Sequence, residues 1–170
     1  MVIVSSTDNQ GSPYPGDMSR DASGQVERES EPGTELTGRL GFLLKHAQQR
    51  LYELTAAALA PHGISGRELS VLLVLDALGP TSQQDAARRL GVDRTTMVAL
   101  IDALEAKSVV VRRPYEEDRR RNVVEFTERG YELFRRARVA SDEAERRFLD
   151  PLALDDAGAE RLRAQLRALI

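Results

Sequence analysis

The chemistry this chain offers most plainly is cationic. Arg119, Arg120 and Arg121 stand in a row behind Asp118, and Arg112 and Arg113 precede them in the stretch RRPYEEDRRRNVVEFT. Guanidinium groups grip phosphate oxygens through paired N–H donors and enter narrow grooves where negative potential is concentrated. A second set, Arg94-Thr95-Thr96, follows Asp93, and Ser82-Gln83 opens the segment before it. Amides and side chains at helix starts of this kind hold phosphates. Other chemistries lack their residues. Cysteine is absent, which removes disulfides, thiolate nucleophiles and zinc–thiolate sites. The two histidines, His46 and His62, have no neighbouring ligands at metal spacing. Nothing forms a nucleophile–base pair or a phosphate-binding glycine loop. The expectation is a protein that is not an enzyme and holds neither metal nor cofactor.

Net charge alone opposes a nucleic-acid partner, and its distribution weakens that objection. Residues 1–36 contain seven acids and two bases, a balance of −5, so the remainder carries +2 of the total −3. A mildly basic body behind an acidic tail is compatible with DNA binding through a local patch. The start, MVIVSSTDNQ, lacks a basic segment and an apolar core, and no stretch reaches the roughly 18 apolar residues of a membrane span. The reading is a soluble cytoplasmic protein with no membrane partner.

Residues 1–34 are rich in Ser, Gly, Pro and Asp without periodicity, and are expected to be a disordered acidic tail ahead of one domain over 35–170. Leu40, Leu43, Leu44, Ala47, Leu51, Leu54 and Ala58 then recur at helical steps until Pro61-His62-Gly63 breaks them. Ser65 with Glu68 reads as a capping box before ELSVLLVLDAL, which Gly79-Pro80 ends. Ser82 with Asp85 starts QQDAARRL, Gly91 stops it, and Asp93 caps RTTMVALIDALEAK. Two β-branched runs, VVVRR and VVEFT, flank a polar tip and predict a hairpin. Thr127 begins a further helix to Leu149, and Asp155 caps the last, running through Leu169. The fold class expected is mainly α with one small β-hairpin, in the order α-α-α-α-ββ-α-α.

Ala87, Gly91 and Met97 span a helix end, a tight turn and a new helix. A helix-turn-helix needs a small residue where its helices cross, a glycine for the left-handed turn and an apolar residue to lock the second helix. Leu90, Val92, Leu100 and Leu104 are the remaining core candidates. A charged hairpin directly after such a unit makes a winged helix: the second helix lies in the major groove and the wing tip reaches flanking backbone or minor groove. The helix-turn-helix is placed at about 82–107 and the wing at about 109–127.

The segment VDRTTMVALIDALEAKSVVVRRPYEEDRRRNVVEFTERG resembles the core signature of the multiple antibiotic resistance regulator (MarR) family. The wing pattern of that family falls on Asp118, Arg120, Val124, Phe126, Thr127 and Gly130. The resemblance implies a homodimeric transcriptional regulator, usually a repressor of near-palindromic operators in double-stranded DNA. It also implies release by a small, often aromatic or phenolic, ligand. Its dimerisation helices fall at about 36–60, 128–149 and 155–169, whose apolar stripes have no partner inside one winged helix.

On this reading Ser82, Gln83, Arg94, Thr95, Thr96, Val98 and Ala99 face DNA from the helix-turn-helix, with Arg112, Arg119, Arg120 and Arg121 on the wing. Asp118 orients Arg120, while Glu116 and Glu117 offset part of the wing charge. His46 and His62 lie near where ligands bind in similar proteins. Two positions depart from the family pattern. Ser108 replaces a glycine that normally ends the recognition helix, so a strained or shifted turn is expected. Val98, Ala99 and Ala103 make the reading face apolar, which favours contact with thymine methyls. A winged-helix protein-interaction module with little specific DNA binding is the alternative, motivated by that apolar face and the acidic wing flank.

Overall fold

A computed structural model describes residues 34–114 and 122–169. The expectation for the acidic tail therefore falls outside the described residues, apart from Thr34. So do the expectations for Asp118, Arg119, Arg120 and Arg121. The elements run α1 (Thr34–Thr37), α2 (Leu40–Leu59), α3 (Gly66–Leu78), α4 (Gln83–Leu90), α5 (Arg94–Ala106), β1 (Val110–Pro114), β2 (Asn122–Phe126), α6 (Glu128–Leu149) and α7 (Asp156–Arg167), with 3₁₀ turns at Ala60–His62 and Asp150–Leu152. The mainly helical class with one antiparallel hairpin is as expected. No helix among the described residues is long and apolar enough to cross a membrane.

Most helix starts follow from their caps. Ser65 and Glu68 form the full capping box: the Glu68 amide donates to Ser65 Oγ at 3.2 Å, and the Ser65 amide donates to Glu68 Oε2 at 2.7 Å. Ser82, Asp93, Thr127 and Asp155 each accept an amide from the third residue beyond. The first helix differs from the single element the leucine stripe predicts. It splits at Gly38-Arg39, where Arg39 is extended (φ −76°, ψ 131°), because glycine disfavours helix and no side chain caps the restart. The last helix ends at Arg167, short of Leu169.

The core gathers under the helix-turn-helix. Met97, Ile101 and Leu104 of α5 are buried against Val71, Leu72 and Leu75 of α3, with Ala86 and Ala87 of α4 beside them. Ala87 is small where α4 and α5 cross, and Gly91 takes φ +67° in the turn. Burying a side chain such as Met97 contributes about 1.5–3 kcal/mol. The hairpin pairs Val110 with Phe126 and Pro114 with Asn122 at its ends. Thr81 adds a third rung on the far edge, exchanging hydrogen bonds with Val124 at 3.1 and 2.8 Å. That rung fixes the wing to the start of α4.

At the end of α5 the chain turns through Ser108, whose φ is +57°. The Ser108 amide donates to the Glu105 carbonyl at 2.8 Å and the Val109 amide to the Leu104 carbonyl at 3.0 Å, the two bonds of a Schellman turn. The turn is therefore kept without glycine, at a backbone penalty of about 1–2 kcal/mol for an L-residue. Immediately beyond, Thr127 binds back. Its amide reaches the Val109 carbonyl at 3.1 Å and its hydroxyl the Ser108 carbonyl at 2.8 Å. Gly130 then lies so close that a Cβ there would sit 1.8 Å from the Val109 oxygen. No side chain motion relieves a clash with backbone. Gly130→Ala is expected to destabilise by more than about 4 kcal/mol in urea unfolding; a loss below about 1 kcal/mol would contradict the close approach.

Candidate nucleic-acid interface

Asp93 sets the direction in which α5 presents its first turn. Its Oδ1 accepts the Thr96 amide at 2.9 Å and its Oδ2 the Thr96 hydroxyl at 2.5 Å. These hydrogen bonds hold the Asp93 carboxyl below its ordinary pKa, Thr96 hydroxyl first. Thr96 is thereby turned toward its own cap, while Arg94, Thr95 and Ala99 are exposed and Val98 is half-buried. The face offered outward combines one guanidinium, one free-standing threonine and small apolar groups. Such a surface suits phosphate contact at its start and methyl contact further along.

At the neighbouring start of α4, Ser82 is occupied. Its Oγ accepts the Asp85 amide at 3.1 Å and donates to Asp85 Oδ2 at 2.6 Å. Gln83 follows as the first helical residue, half-buried. Arg88, in the last turn of α4, pairs with Asp85 at 3.2 Å.

The wing strands hold their charges in pairs. Arg113 on β1 bridges Glu125 on β2. Arg112, expected to face phosphate, turns instead onto the recognition helix, where its guanidinium meets both Asp102 and Glu105. Its position in the sequence gave no sign of this, because the partners lie seven and ten residues away across a turn. Sequence reasoning also missed Lys107. Its Nζ sits 2.6 Å from Glu68 Oε1, tying the end of α5 to the start of α3 across 39 residues.

His46 and His62 are not brought together. His46 stacks on Phe42, ring centroids 3.8 Å apart, and donates from Nδ1 to the Phe42 carbonyl at 2.8 Å. His62 lies in the 3₁₀ turn beyond the far end of α2, about 24 Å along the axis at 1.5 Å per residue. Among the described residues no three His, Asp or Glu side chains are grouped to hold a metal ion.

A capped recognition helix behind a tight glycine turn, with a paired two-stranded wing beside it, defines a winged helix-turn-helix DNA-binding protein. Comparisons with known proteins give the same class. Residues 62–121 match the model of the MarR family. The transcriptional repressor CouR, solved bound to a 23-mer DNA duplex, is 32% identical, with 82% of this chain covering 99% of that one at a TM-score of 0.74. CouR from Rhodococcus jostii RHA1 bound to p-coumaroyl-CoA is similar at 28% identity and a TM-score of 0.70, with 81% of this chain covering 95% of that one. The HTH-type transcriptional repressor NicR of Pseudomonas putida is 29% identical over 58% of this chain, which spans 63% of the NicR length. The chain belongs to the MarR family of transcriptional regulators.

The Lys107–Glu68 pair supports the recognition helix from behind. Burial works to raise the Glu68 pKa, but hydrogen bonds from Lys107 and Ser65 outweigh it and keep the carboxyl below its ordinary 4.5. A depressed carboxylate stabilises the fold above its unfolded pKa and loses that contribution as pH falls through the folded value. Lys107→Met is expected to cost about 1–3 kcal/mol near neutral pH and less in acid, where Glu68 is protonated. Urea unfolding at several pH values checks this, and a cost that does not vary with pH would contradict it.

Proposed function

We propose that this regulator is a cytoplasmic homodimeric repressor that occupies a near-palindromic DNA operator and releases it when a small aromatic or phenolic ligand binds. The observation that carries the reading is the uncovered apolar surface at the two ends of the chain. Leu36 (51%), Leu40 (65%), Leu43 (51%) and Leu44 (45%) lie exposed on α1 and α2, and Leu166 (44%) and Leu169 (71%) at the far end. A single soluble chain rarely leaves so many leucines in water, and pairing about a two-fold axis buries them. A two-fold axis in turn sets two recognition helices in successive major grooves, which requires matching half-sites.

In this reading Gln83, Arg94 and the backbone amide of Ser82 take phosphates, while Thr95, Val98 and Ala99 meet base edges and thymine methyls. Thr96 contributes through its cap more than through the groove. Arg119, Arg120 and Arg121 carry the wing tip, with Asp118 orienting Arg120. The CouR complexes support both halves of the cycle, DNA-bound and ligand-bound. The ligand lies near His46 or His62, between the dimer helices and the winged helix.

The test is sequencing of genomic fragments captured by purified protein, beside an Arg120→Ala control and a light-scattering mass. The expected result is one enriched palindromic site, lost in the control, bound by a dimer. Enrichment of no site by a dimeric protein would favour the protein-interaction module, and a monomer at micromolar concentration would contradict the dimer.

A further inference from the structure

The recognition helix carries two acids on its wing side, an awkward place for negative charge beside DNA. Asp102 is 58% exposed and Glu105 37% at their side chains. They are three residues apart on α5 and so share a face. Arg112 of β1 meets both. One terminal nitrogen of its guanidinium reaches Glu105 Oε2 and the other reaches Asp102 Oδ1, while its backbone amide donates to Glu105 Oε1 at 3.2 Å. The arginine side chain is only 23% exposed. Burial works against its charge, yet the bonds to Asp102 and Glu105 outweigh it and hold the guanidinium above its ordinary pKa.

Resting on the DNA-binding reading, we propose that Arg112 is a positioning residue that clamps the wing to the recognition helix and neutralises Asp102 and Glu105, and that it does not itself hold a phosphate. Each terminal nitrogen of the planar fork gives one hydrogen bond to a different carboxylate, and lysine cannot reproduce that two-carboxylate geometry. Turning the side chain toward a phosphate would leave two carboxylates unpaired next to the duplex, exchanging one attraction for two repulsions. Neutralised, the same helix face presents only Arg94 and small groups to DNA. The clamp also fixes the base of the wing, since Arg112 sits opposite Val124, the residue that Thr81 holds from the other edge.

The two roles separate in a charge cycle measured by fluorescence anisotropy on the fragment that the wild type captures, at two salt concentrations, with thermal melts alongside. Arg112→Gln is expected to weaken binding about tenfold or more, because it unmasks both acids. Adding Asp102→Asn and Glu105→Gln is expected to restore most of that loss, with the wild-type salt slope kept. A triple variant as weak as Arg112→Gln, with its salt slope reduced by about one, overturns the proposal and makes Arg112 a phosphate ligand. Should Arg112→Gln fail to fold, Arg112→Lys decides. Lysine serves as a phosphate ligand but spans one carboxylate, so a loss of about threefold or more, recovered by Asp102→Asn, is expected. Unchanged affinity for Arg112→Lys overturns the proposal. Failure of the wild type to capture any fragment would sink the DNA reading itself, a different result from either.

Discussion

The Val109 carbonyl accepts the Thr127 amide at 3.1 Å and shares the Thr127 hydroxyl proton, at 3.3 Å, with the nearer Ser108 carbonyl, while Gly130 lies against it with no room for a Cβ. Three parts of the molecule end at this point: the recognition helix through its Ser108 turn, the wing through the foot of β1, and α6 through its first turn. Because the contact is backbone on backbone, it has little freedom to adjust. It acts together with side-chain packing, since Phe134 and Ala137 of α6 are buried in the same core as Met97, Ile101 and Leu104 of α5.

Around that joint the charges are arranged in pairs. Glu68 and Lys107 brace the rear of α5, Arg112 covers the two acids on its wing side, and Arg138 on α6 meets Asp76 on α3 at 3.2 Å. The exposed pairs contribute little to stability individually. Their effect is on potential: a chain of negative net charge still presents DNA with a recognition face whose acids are compensated. The result is a recognition-helix face whose exposed residues are Arg94, Thr95 and Ala99 beside paired acids.

The local signals were legible in the sequence. Serine, threonine or aspartate followed three residues later by its amide partner marked five helix starts, and Gly91 marked the turn. Ser108 was legible as a departure that would strain its turn, and φ +57° is that strain. The long-range pairs were not. Glu68 looked like a cap and nothing more, because no periodicity links it to Lys107, and Arg112 looked like one more wing cation. Gly130 was recognisable as part of a pattern, but the reason for it lies 21 residues upstream, in a carbonyl. The break at Gly38-Arg39 was hidden by leucines that keep helical spacing on both sides of it.

Methylation interference on the captured operator tests the central claim most directly, since it reads guanine N7 positions in the major groove. Two recognition helices related by a two-fold axis predict two clusters of interfering guanines about 10–10.5 base pairs apart, centre to centre. A single cluster, or interference spread evenly along the fragment, would contradict a symmetric dimer reading two half-sites.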